Sequence, residues 1–82
     1  MVKINKKKIN IHDDDKDIKI DRNSIKASQY LEIATEKNVY IESIECCGMR
    51  ILAKKIFLDG DIVSYGPVIL AAMEICINKE VI

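Results

Sequence analysis

His12 is the only histidine of this 82-residue chain, and Cys46, Cys47 and Cys76 are its only thiols. Nucleophilic chemistry from this set needs a thiolate, which at neutral pH needs a nearby cation or general base. Nothing local in the sequence lowers the pKa of any of the three thiols, so a Cys-His pair would have to be assembled across the fold. His12 adjoins Asp13 and reads instead as a solvent-facing turn residue. The cysteines are odd in number and lack Cys-x-x-Cys spacing, which suggests neither a disulfide framework nor a zinc site. They are expected as buried thiols in a reducing, cytoplasmic compartment. Adjacent strand residues point to opposite faces, so only one of Cys46 and Cys47 can enter a core.

Other chemistry-bearing patterns are sparse. Asp13-Asp14-Asp15, followed by Lys16-Asp17, reads as a solvated turn between two apolar strands. It lacks the alternating ligands and later Glu of a calcium loop. No Gly-x-x-x-x-Gly-Lys phosphate loop and no Gly-x-Ser-x-Gly nucleophile turn occurs. The sequence therefore predicts a protein that is not an enzyme and uses no cofactor or metal. Lys and Arg total 13, as do Asp and Glu. That balance argues against a nucleic-acid module, which carries a basic footprint. Despite Lys6-Lys7-Lys8, no apolar stretch of signal-peptide length follows, and no run approaches 18 apolar residues, so neither secretion nor a membrane span is expected.

The elements that must position these residues show in the apolar spacing. Ile occurs 16 times against four Leu, and β-branched side chains favour strands. Apolar or small residues recur in pairs separated by one position, which is how a short strand points two side chains to one face. The pairs are Val2/Ile4, Ile9/Ile11, Ile18/Ile20, Ile25/Ala27, Leu31/Ile33, Val39/Ile41, Ile44/Cys46, Ile51/Ala53, Ile56/Leu58, Ile62/Ser64, Val68/Leu70 and Ile75/Ile77. A strict six-residue comb through Ile33, Val39, Glu45, Ile51, Phe57, Val63, Ile69, Ile75 and Val81 meets one polar residue. Short strands at near-hexad intervals suit an all-β, β-solenoid-like domain, in which stacked coils build a column of aliphatics. Residues 1–82 read as one domain, with an irregular part at 1–23 and near-hexad repeats at 24–82. Gly60 and Gly66 are expected to turn corners through positive φ, with Asn38 and Asn78 at similar corners.

The units Ser24-Ile25-Lys26-Ala27, Ser43-Ile44-Glu45-Cys46, Lys55-Ile56-Phe57-Leu58-Asp59-Gly60 and Asp61-Ile62-Val63-Ser64-Tyr65-Gly66 carry a resemblance. On them, the stretch from Ser24 to Ile77 resembles the short-repeat β-helical proteins of bacteria, including bactofilin-like polymer-forming proteins. That resemblance implies self-assembly. The rhythm is also similar to that of left-handed β-helix acyltransferases. This second likeness would imply a longer coil and a catalytic histidine in a subunit cleft, whereas His12 lies in the least regular segment.

The rival architecture is a small α+β fold with two or three helices. Ser24 would cap a helix with the stripe Ala27, Tyr30, Leu31, Ala34; Met49, Leu52, Ala53 and Ile56 form another stripe, and Pro67 would open a helix running to Ile77. In that reading the order of elements over Ile18 to Leu58 resembles Alba-like nucleic-acid binders, with Arg50, Lys54 and Lys55 facing phosphate. The plainer reading of these cations is a solvated face.

Two roles remain: a non-catalytic, self-assembling structural β protein, or a small cytosolic interaction module of the phage or host inhibitor type. Ile, Lys and Asn make up 32 residues, a bias typical of AT-rich microbial or viral genomes. The sequence predicts a homo-oligomer, with self-association through Ile75, Ile77, Val81 and Ile82. The apolar end of a solenoid must be capped or joined to another chain.

Overall fold

The computed structural model describes residues 8–77, and every regular element among them is a β-strand. In chain order these are β1 (Lys8–His12), β2 (Ile18–Ile20), β3 (Tyr30–Ala34), β4 (Asn38–Ile41), β5 (Ile44–Cys46), β6 (Gly48–Leu52), β7 (Lys55–Leu58), β8 (Ile62–Ser64), β9 (Val68–Ala71) and β10 (Glu74–Ile77). All pairings are parallel. One sheet runs β1-β3-β6-β9, a second β2-β4-β7-β10, and a third pairs β5 with β8. The chain therefore winds as a short β-solenoid of about four turns. The segments that admitted helices are strands and turns, and Ser24 closes a turn with Asp21: the Asp21 N–H donates to Ser24 Oγ at 3.1 Å.

Alternation explains why these residues form strands. Ile18-Lys19-Ile20 and Ile44-Glu45-Cys46 each bury their outer two residues and expose the middle one. In-register parallel pairing then stacks each inward residue on its counterpart in the next coil. Two such columns are Ile11-Ile33-Ile51-Leu70 and Ile20-Ile41-Leu58-Ile77. The alternating pairs mark the inward faces at most sites. One needs correction: Ala27 is exposed beside buried Ile25, whereas Ile51 and Ala53 are both buried, with Met49 inward alongside them. Val2/Ile4 lies outside the described residues.

The strict comb is overturned, because the coils do not share one length. Tyr30 pairs with Gly48, but Met49 pairs with Val68, so the first sheet gains a residue between successive turns. In the second sheet Val39 pairs with Ile56, and Ile56 with Ile75. A fixed six-residue step consequently slips off the inward face. Phe57, Val63 and Ile69 pair with the outward residues Tyr40, Glu45 and Arg50. Phe57 stacks on Tyr40 with ring centroids 4.8 Å apart.

The glycine expectation also changes. Gly60 and Gly66 do not adopt positive φ; the positive-φ residues are Ser43 at 46° and Gly48 at 152°. Gly60 and Gly66 lack a side chain because neighbouring coils approach them. A Cβ on Gly60 would meet the backbone and hydroxyl of Ser43, and one on Gly66 the carbonyl of Cys47. Asn38 opens β4, where its N–H donates to Asp17 Oδ1 at 3.1 Å. Asn78 lies outside the described residues. The buried Thr35 is satisfied by donating to the Lys16 carbonyl at 3.3 Å and accepting from the Lys37 N–H at 3.1 Å.

Substitutions in one strand test this packing. Ile51→Ala should cost about 2–5 kcal/mol by leaving a void in a column, whereas Leu52→Ala, on the outward side, should stay within roughly 0.5 kcal/mol. Gly60→Ala should cost about 1–3 kcal/mol, since backbone of the adjacent coil must move. Urea denaturation measures all three; equal losses at residues 51 and 52 would contradict the strand phase.

Candidate functional site

Both large sheets finish at the same end of the stack, with β9 closing one and β10 the other. Their inward side chains continue the core columns but have no described coil above them. Val68, Ile75 and Ile77 are 46%, 41% and 59% exposed, whereas Ile51 and Ile56, one coil below, are fully buried. An apolar recess of about 230 Å³ opens there, lined by Met49, Leu58, Ile62, Val68, Leu70 and Ile77, with Ser64 the only hydroxyl. Of the four residues expected to drive self-association, the structure places Ile75 and Ile77 on this end; Val81 and Ile82 lie outside the described residues. The sequence reading missed Val68 and Leu70. Their alternating pair was visible, but nothing in a linear pattern identifies the last coil.

Residues 68–77 carry one charged side chain, Glu74, whose carboxylate lies 3.6 Å from Lys55 Nζ. The end surface is thus apolar with a locally neutralised rim. A second apolar strip lies on the outward face of the first sheet, where Leu52, Ile69 and nearby Met73 are exposed. Glu32 and Arg50 interrupt it as outward register partners.

The residues with potential chemistry are dispersed. His12 sits at the C-terminal end of β1, 3.2 Å from Asp14 Oδ2 and exposed. Cys46 points inward and is fully buried, so only that member of the Cys46-Cys47 pair joins the core. The expectation of three buried thiols is corrected: Cys47 is exposed and Cys76 only half-buried, and all three are free. Cys47 precedes β6, at the opposite end of the first sheet's strands from His12; Cys76 lies in the second sheet. Partial burial, followed by a hydrogen bond to Glu74, pushes the Cys76 thiol above its ordinary pKa, the reverse of nucleophile activation. Asp13, Asp14 and Asp15 occupy the β1–β2 turn, where the Asp15 N–H donates to Asp13 Oδ1 at 3.0 Å. Among the described residues, no group of three or more His, Cys, Asp or Glu is placed to hold a metal ion.

Of the three cations expected to face phosphate, Arg50 is outward on the first sheet, Lys55 starts β7 on the second, and Lys54 lies at the corner between them, its N–H donating to the Lys37 carbonyl of the coil below at 2.9 Å. No helix among the described residues is long and apolar enough to cross a membrane. No family model, no curated protein and no solved structure matches the chain.

Besides Lys55 and Glu74, two further outward ion-linked pairs among the described residues tie coils together. Lys8 Nζ lies 2.8 Å from Glu32, and this hydrogen bond, with the positive charge beside it, holds the Glu32 carboxyl below its ordinary pKa. The Tyr65 hydroxyl donates to Glu45, which raises the phenol's pKa because ionisation would lose the bond and place two anions together. The raised phenol contributes stability below its unfolded pKa, and the contribution is lost as pH rises through the folded value. Absorbance titration should show one tyrosine ionising above the ordinary range, and Glu45→Ala should return it there. An unchanged titration would remove the Tyr65–Glu45 bond from the account.

Proposed function

We propose that this chain is a non-catalytic, self-associating structural β protein whose copies join through the open end formed by β9 and β10. The observation that supports this reading is the exposure of Val68, Ile75 and Ile77, inward residues stacked on the buried Met49, Ile56 and Leu58 of the coil below. Leaving such aliphatics in water forfeits about 25 cal/mol per Å² of the burial available to them. Among the described residues the outer edges of β9 and β10 have no strand beside them, which leaves backbone groups to extend the ladders. The resemblance to bactofilin-like proteins of bacteria favours the same activity. The dispersal of His12 and the three thiols favours a role without covalent chemistry, and the free thiols suit a reducing, cytoplasmic setting.

A second reading, a small module that docks on another protein, draws on the strip of Leu52, Ile69 and Met73. That strip is crossed by charged residues, whereas the open end is continuous with the core.

Light scattering over a concentration series tests the proposal. The expected mass exceeds the 9.3 kDa of one chain and rises with concentration. Ile77→Lys should weaken association at least roughly tenfold, about 1.4 kcal/mol, while preserving a β-rich circular dichroism spectrum. A single-chain mass at every concentration would overturn self-association and leave the lateral strip as the candidate surface.

A further inference from the structure

The two ends of the stack differ, and that difference decides how copies can join. In the first coil Ile18, Ile20 and Ile25 are 8%, 2% and 4% exposed, and the inward Ile9 and Ile11 of β1 are half-buried, although β1 and β2 are terminal strands of their sheets. In the last coil Val68, Ile75 and Ile77 are 46%, 41% and 59% exposed. Head-to-tail addition would set this open end against a less exposed one, whose Ile9 and Ile11 are already half-buried, so that partner would gain less apolar burial. Joining open end to open end buries both sets at once. The last coil also suits self-apposition electrostatically: Glu74 is the single charge in residues 68–77, and Lys55 accompanies it at 3.6 Å. The first coil carries charges throughout its turns, including Asp13, Asp14, Asp15, Lys16, Asp17, Asp21 and Arg22.

Resting on the self-association proposed above, we infer that the occupant of the open end is the open end of a second copy, giving a closed two-fold dimer and not an open-ended filament. An interface of this kind is isologous: the same patch serves both subunits, and forming it consumes the surface that further growth would need. Val68, Leu70, Ile75 and Ile77 of each copy form its centre.

Concentration-dependent hydrogen exchange on the unmodified full chain, read beside its mass, tests this. The expected result is a mass that plateaus at two chains, with amides of β9 and β10 exchanging at least tenfold more slowly at high concentration while those of β1 and β2 stay unchanged. Growth beyond two chains, or concentration-dependent protection at both ends, would overturn the closed dimer and leave self-association standing. A single-chain mass with β9 and β10 protected at every concentration would overturn both proposals and indicate that residues 78–82 of the same chain cover the end. A single-chain mass without such protection would also overturn both. Mixing adds a second discriminator: tagged Ile77→Lys protein should co-assemble with the unmodified chain several-fold more weakly than tagged unmodified protein does, whereas in head-to-tail growth its intact first coil would still join at full strength. Undiminished co-assembly would overturn the inference.

Discussion

In-register stacking of inward aliphatics is the interaction on which everything else in this chain depends. A parallel ladder places each residue directly over its counterpart, so one column must be apolar through every coil it crosses. Ile11, Ile33, Ile51 and Leu70 meet that demand in the first sheet, and Ile20, Ile41, Leu58 and Ile77 in the second. With 82 residues the chain cannot build a broad core, and a narrow column is an economical way to bury short strands. The same geometry contains no natural stopping point. Whatever residue occupies the last described rung of a column is apolar on a face that no further described coil covers.

The corners absorb irregularity so that the columns stay in register. Two residues, Glu42 and Ser43, link β4 to β5, whereas Asp59, Gly60 and Asp61 link β7 to β8. Ile44 nevertheless pairs with Ile62. The shorter corner requires positive φ at Ser43, and the longer one passes so near Ser43 that only glycine fits at residue 60. In the first coil, polar side chains take over this work, with Asp17 and Thr35 bonding the β1–β2 turn to the coil above it.

Such a scaffold distributes its polar groups outward and separately. Lysines, glutamates and the histidine alternate with inward residues on the strands, while the exposed Cys47 lies between β5 and β6. Cross-coil pairs such as Lys8 with Glu32 and Tyr65 with Glu45 consequently act between neighbouring rungs. Among the described residues, the end of the columns carries exposed aliphatics around an apolar recess rather than a cleft of converging polar side chains.

The architecture was legible in the sequence because a strand has a side-chain period of two, and pairs such as Ile18/Ile20, Leu31/Ile33 and Ile56/Leu58 record it directly. The inward phase of Ile75 and Ile77 was legible for the same reason, and Cys46-Cys47 announced that one thiol must leave the core. Coil length was not legible: outward Phe57, Val63 and Ile69 are as apolar as inward Ile51, so a comb of hydrophobic residues runs through both faces without a break. Which glycines serve close approach and which residue bears positive φ depends on the neighbouring coil, which no local pattern contains. Val68 and Leu70 read like any other core pair. Only the tertiary stack, by placing β9 and β10 at the edge of their sheets, turns that pair from interior to surface, since burial depends on whether another coil lies above and not on the residues themselves.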